Sequence, residues 1–297
     1  MTKFGETERY IKDLFSGAEE FVFGGVKYTV LNCGKPTTSK GECKTDVYVL
    51  AQDKDGKYKE FKISVKQHDA DFLENKISLE RAIEILGNEA QEIIKSCVDQ
   101  IKVEFENDYL VYFNKHASTE AFCLKMGWKF ELLNKIGGNK SGIMKLSDQQ
   151  KIDIYAGTNL NSSKKNCTVN GENIENSGIA NYILNVDILT DKLDYYLKKM
   201  QPIEDFAKAQ KIYFACKALN YRCVKDKWDE NRPLAVYVHW KLDKYNKLIG
   251  ELVYDKPLSV RGNEIGENIR RILSELNINK ENFINLKDQL HENVRTI

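Results

Sequence analysis

Two short β-rich runs of this 297-residue chain hold the residues best suited to chemistry: Asp46, Ser64 and Lys66. The runs are Thr45 to Leu50 and Tyr58 to Lys66, separated by Asp53-Lys54-Asp55-Gly56. A three-residue loop over Lys54–Gly56, with Gly56 left-handed, pairs Asp53 with Lys57. Counting outward from that pair sets Asp46 opposite Ser64, with Lys66 one pleat away on the same face. Phe61, Ile63 and Val65 then point to the other face. An acid and a lysine thus converge on one side of a hairpin whose other side is apolar. That arrangement suits phosphodiester cleavage. An aspartate can hold a divalent metal that polarises phosphate and acidifies a bound water, and a lysine can stabilise the attacking hydroxide or the developing phosphorane charge. Oxygen ligands favour Mg²⁺, with phosphate and waters completing its octahedron.

One carboxylate makes a poor metal site, so a second is expected nearby. The strand position two before the lysine, where a glutamate would serve, holds Ser64. The helix that follows offers Glu80, in the first turn after a capping Ser78, with Glu74 and Glu84 as rivals. Each residue also has a plainer use. Asp46 and Lys66 can be a solvated strand face, Ser64 a polar strand position or a residue behind the site, and Glu42 a loop charge. Glu80 can simply meet the helix macrodipole, worth about 0.3–1 kcal/mol.

Asp46 followed by Ser64-Val65-Lys66 resembles the PD-(D/E)xK nuclease superfamily. It is most similar to type II restriction endonucleases whose acidic strand residue has become serine and whose glutamate has migrated to the next helix. The resemblance implies a restriction-endonuclease-like mixed β-sheet core flanked by helices, an α/β (α+β) fold. It also implies Mg²⁺-dependent cleavage of double-stranded DNA leaving 5′-phosphates, with Mn²⁺ as a substitute, often by a homodimer. Asp46 and Glu80 would be metal ligands and Lys66 the catalytic lysine. Glu8, or Glu6, would be the extra carboxylate that some members draw from an N-terminal helix. Thr45 stands where the family motif has proline, and the hairpin is shorter than in the migrated-glutamate enzymes. The resemblance covers residues 41–80.

These residues must be held by the surrounding elements. Periodicity predicts a helix over 7–15, a Gly-Gly hairpin over 21–30 and a long helix over 78–105. It further predicts a strand over 108–114, a short helix over 119–126, and helices over 188–200 and 203–220. A second strand pair, 234–240 and 247–253, precedes helices at 264–276 and 280–291. No linker composition interrupts the chain, which predicts a single domain over 1–297. Its catalytic core would lie at about 1–130, with a polar insertion at about 135–178 and a helical and second-hairpin region at about 185–297. The insertion is rich in Lys, Asn and Ser, side chains that contact phosphates and base edges. Lys140, Asn161, Lys164 and Lys165 are the candidate DNA contacts there.

Composition sets the bounds. A net charge of +1 with 42% hydrophobic residues excludes both a disordered polyelectrolyte and a globally basic nucleic-acid coat. The odd count of 7 cysteines, none in C-x-x-C, argues for reduced thiols rather than a disulfide framework or structural zinc. The start lacks an apolar h-region and no long apolar run follows, so a cytoplasmic protein without membrane contact is expected. The four histidines have no metal-ligand spacing, although His68 closely follows Lys66. No phosphate-binding G-x-x-x-x-G-K-[ST] loop is present. Three readings stand: a restriction enzyme with a cognate DNA methyltransferase encoded nearby, a phage, repair or homing nuclease, and a non-catalytic DNA-binding or interaction protein.

Overall fold

The computed structural model describes residues 3–39, 41–67 and 72–297. It is a mixed α/β fold with two large sheets and flanking helices, divided into two compact units. The first unit comprises residues 1–71, 84–87 and 146–210, and the second comprises 72–83, 88–145 and 211–297. The chain passes between the units several times, so no linker marks the division in the sequence.

The first unit opens with α1 (Lys3–Gly17), followed by β1 (Glu20–Phe23), β2 (Val26–Gly34), β3 (Val47–Asp53) and β4 (Tyr58–Gln67). Gly24 and Gly25, at φ of 59° and 78°, make the β1–β2 turn that the Gly-Gly pair predicts. The strands β1 to β4 are antiparallel in chain order. Strand Tyr182–Val186 then pairs with β4 in parallel, and Gln201–Pro202 closes the far edge.

Alternation sorts the side chains of this sheet. Val47, Val49 and Ala51 of β3 face Phe61, Ile63 and Val65 of β4 in one apolar layer, joined by Leu184 and Val186. Ile11 and Phe15 of α1, with Tyr196 and Leu197 of helix Leu193–Lys199, complete that core. The rings of Phe21, Phe23, Tyr28 and Tyr182 surround Phe61 with centroids 5.2–5.5 Å from it. The Lys59 ammonium caps this group, 5.2 Å from the Phe61 centroid. Cation–π attraction lets a half-buried charge sit there.

In the second unit, Cys123–Leu133 is the central strand, flanked by Tyr213–Arg222 and Val236–Leu242, all antiparallel. Helix Gly262–Glu275 packs its apolar stripe, including Ile265, Ile269 and Ile272, on this sheet. Two segments expected to be helical lie here as strand instead. Tyr213–Arg222 is a strand where 203–220 reads as one helix, and Cys123–Leu133 is a strand where 119–126 does. Both are buried on both faces, which erases the period of two, and pairing with each other overrides the helical propensity of their Ala, Leu and Lys residues. The long helix expected over 78–105 is three helices, Leu79–Leu86, Ala90–Gln100 and Lys102–Glu106. Left-handed Gly87, at φ 82°, ends the first.

Gly127 interrupts the central strand at φ 152°, and a Cβ there would sit 2.4 Å from the Val236 carbonyl oxygen. Neighbouring backbone cannot yield as a flexible side chain would. Gly127→Ala is therefore expected to cost about 2–4 kcal/mol of unfolding free energy. Urea denaturation measures it, and a change below about 0.5 kcal/mol would contradict the tight approach.

Candidate active site

The β3–β4 turn forms as its sequence dictates. The Asp53 amide donates to the Lys57 carbonyl at 3.0 Å, and Gly56 is left-handed at φ 80°. The Asp53 carboxylate accepts from the amides of Asp55 and Lys57, both at 2.9 Å. Val47 pairs with Ile63, so the register sets Asp46 opposite Ser64. The Asp46 amide donates to the Ile63 carbonyl at 2.9 Å, and its carboxylate Oδ2 accepts from the Val65 amide at 2.8 Å. Asp46 is therefore fixed at both its backbone and its side chain.

Burial pushes the Asp46 carboxyl up to about 6, with Lys66 pulling it down and Glu8 pushing it up. The Val65 amide and Lys35 also favour its charged form. Lys66, Glu8 and Lys35 are thus the charged side chains that act on this carboxylate. Glu8 comes from α1, held against the sheet by the apolar layer and by Gln67, whose Nε2 donates to Thr7 Oγ1 at 2.5 Å. Lys35, just past β2, pairs with Glu8 at 2.5 Å. Burial works against the Lys35 charge, but Glu8, Asp46 and Glu42 outweigh it and hold its pKa above the usual lysine value. Ser64 is fully buried and its hydroxyl has no hydrogen-bond partner.

The first unit thus brings together Asp46, Ser64, Lys66, Glu8 and Glu42. Lys35 joins them and was not singled out from the sequence, where Gly34 to Gly41 reads only as a loop. No local pattern marks it, because its neighbours come from α1 and from the segment leading into β3. Glu80 lies in the first turn of helix Leu79–Leu86, in the second unit. Its rivals are engaged elsewhere: Glu74 takes two hydrogen bonds from Arg81, at 2.7 and 3.1 Å, and Glu84 pairs with Lys164 at 2.8 Å. His68 lies outside the described residues.

The candidate DNA contacts are partly committed to internal pairs. Asn161 caps the short helix Ser162–Lys165 and donates to Glu84 at 2.7 Å. Lys165 ends that helix, half-buried. Lys140, in the second unit, pairs with Asp108 at 3.0 Å. Asp108 also lies 3.7 Å from Lys125, whose side chain is 2% exposed. Burial opposes the Asp108 charge, but the two lysines hold its carboxyl below the usual range.

Among the described residues, no group of three or more His, Cys, Asp or Glu side chains is arranged to hold a metal ion. None of their helices is long and apolar enough to cross a membrane. Comparison with protein-family models, curated proteins and solved structures found no match.

The half-buried Asp46 has a thermodynamic signature. Its folded pKa exceeds that of the unfolded chain, so the native state holds this proton more tightly. Below about pH 4 the group is protonated in both states and costs nothing; between about pH 4 and 6 the cost of ionising it in place accumulates. Above that window it reaches roughly 2–3 kcal/mol. Asp46→Asn keeps an acceptor for the Val65 amide and removes the charge. In metal-free buffer it is expected to stabilise the protein by about that amount at pH 7.5 and hardly at all at pH 4. Equal effects at both pH values in chemical denaturation would disprove the assignment.

Proposed function

We propose that the protein is a metal-dependent endonuclease that hydrolyses phosphodiester bonds of double-stranded DNA, with Asp46 and Lys66 at its centre. The observation that carries this reading is the fixed Asp46 carboxylate with Lys66 as its strongest favourable charge, on a hairpin bearing Ser64-Val65-Lys66. The motif implies a mixed sheet flanked by helices, and the sheet of the first unit is mixed, with β4 antiparallel to β3 and parallel to Tyr182–Val186.

The donor set fits a hard divalent cation. Mg²⁺ is commonly held by one or two carboxylates, with waters and substrate phosphate filling the remaining positions. Asp46 and Glu8 would supply such oxygens within one unit, and Ser64, opposite Asp46 in the register, has a buried hydroxyl without a hydrogen-bond partner. Glu80 is the second carboxylate that the motif resemblance assigns. When bound, Mg²⁺, or Mn²⁺ in its place, would supply Lewis acidity toward the phosphate and its attacking water.

The chain's own residues do the rest. The Val65 amide orients the Asp46 carboxylate, so its remaining lone pairs are directed without side-chain freedom. Burial makes Asp46 a carboxylate that gains from a cationic neighbour, because a nearby positive charge offsets lost hydration. Lys66 holds its ammonium where negative charge grows on the phosphoryl oxygens. Lys35, paired with Glu8, adds a second cation on the same side.

Within this proposal the protein acts as a type II restriction enzyme, as a homodimer, with a cognate methyltransferase encoded nearby. Asn161, Lys164, Lys165 and Lys140 would serve as DNA contacts. A phage, repair or homing role keeps the same chemistry with a different substrate choice.

Incubation of plasmid DNA with the purified protein and Mg²⁺ tests the reading. Discrete fragments are expected, and excess EDTA should abolish them. Lys66→Ala should lower single-turnover cleavage by about 10²–10³-fold while DNA affinity stays near wild type. Undiminished cutting by folded Lys66→Ala, or cutting in EDTA, would overturn the mechanism. Glu8→Gln and Glu80→Ala, assayed separately, should each lower the rate at least about tenfold if their carboxylates hold the metal. Full activity of either variant would remove that residue from the site.

A further inference from the structure

Seven cysteines carry no disulfide in this structure, yet two of them, far apart in sequence, meet beside the Asp46 strand. Cys43 lies three residues before Asp46, and Cys167 opens the strand Cys167–Val169. Their side chains pack against the same glycine, Gly178. Gly178 marks where they converge: a Cβ on it would lie 2.9 Å from Cys167 Sγ and 3.0 Å from Cys43 Cβ.

The backbone around the pair is tied on every side. Lys44 donates its amide to the Gly178 carbonyl at 3.0 Å, and Gly178 donates to Lys165 at 2.8 Å. Ser177 Oγ accepts from the Cys167 amide at 3.1 Å. The two thiols donate outward as well, Cys43 to the Thr45 carbonyl at 3.3 Å and Cys167 to the Lys164 carbonyl at 3.2 Å. A disulfide requires the two side chains to approach closely, and the fixed backbone on both sides of Gly178 keeps these two cysteines side by side. Cys43 is half-buried and Cys167 is 1% exposed, so an external reagent reaches the first and not the second.

We propose that Cys43 and Cys167 are an oxidative modification site that closes reversibly into a disulfide in exchange with a small-molecule disulfide. Cys43, losing its proton to solvent, attacks one sulfur of the reagent, forming a mixed disulfide and releasing one thiolate. Cys167, deprotonated in turn, attacks the Cys43 sulfur, and the second thiolate leaves. The two released thiolates take up two protons, so the protein loses two electrons and two protons and the reagent gains both. The new bond ties the segment leading into Asp46 to the segment 164–178. Burial raises both thiols, Cys43 to about 12, so each is a weak nucleophile at neutral pH and exchange is slow.

Oxidised glutathione is the probe. The protein is incubated with it, remaining thiols are alkylated, and peptides are mapped by mass spectrometry without reduction. The expected result is one cross-linked peptide joining Cys43 to Cys167, with the alkylated thiols falling by two of the seven. Dithiothreitol should reverse it. Cys167→Ser should stop the reaction at a glutathione adduct on Cys43, and Cys43→Ser should leave Cys167 unmodified in the folded protein. The proposal is overturned if wild type retains both thiols, stops at the mixed disulfide, or links either cysteine to a different partner. This readout is independent of nuclease activity.

Discussion

The β3–β4 register is the constraint on which the candidate site depends. It is set at the turn, where the Asp53 carboxylate satisfies two amides that the loop leaves without strand partners. A slip of β4 by one residue would move every one of its side chains to the opposite face. Phe61, Ile63 and Val65 would then lose the apolar layer beneath α1, and Ser64 and Lys66 would face the core. Burial of three large apolar side chains holds the register against that slip, each worth about 1.5–3 kcal/mol. The same force that makes the core thus fixes the acid and the lysine on their side of the sheet.

Around that hairpin, the first unit gathers charge in a place where charge is costly. Asp46 stays half-buried because a backbone amide and two lysines offset its lost hydration, though only in part. The residual cost is what raises its pKa: ionising Asp46 in place gives up stability that the neutral acid keeps. Lys35 and Glu8 show a second feature of the design. Their ion pair neutralises the neighbourhood of Asp46 overall and leaves Lys66 as the cation with the largest effect on it.

The second unit solves a different problem. Its central strand is buried on both faces and still carries Lys125 and Glu131, which need partners in the low dielectric. Lys125 finds Tyr112 at 3.1 Å and Asp108 at 3.7 Å, and Glu131 finds Lys129 at 3.3 Å and Lys217 at 3.1 Å. Such networks specify one register as firmly as apolar packing does, because any shift would strand a buried charge.

Local sequence determined what depends on local rules. The Gly-Gly turn, the Asp53–Lys57 loop and the pairing of Asp46 with Ser64 follow from turn chemistry and a period of two, and the structure has all three. The mixed α/β character followed from alternating periodicities. Strands buried on both faces were illegible, since Tyr213–Arg222 and Cys123–Leu133 lack alternation and draw their conformation from each other. The division into two units was equally hidden, because it is made by several crossings rather than one linker. At the site, sequence could nominate Asp46, Ser64 and Lys66 because one hairpin carries them, and Glu8 only by resemblance. Lys35 beside Glu8, and Cys43 beside Cys167, are separated by 27 and 124 residues of chain. Only tertiary packing decides such meetings, because side chains that far apart share no backbone geometry until the core has formed.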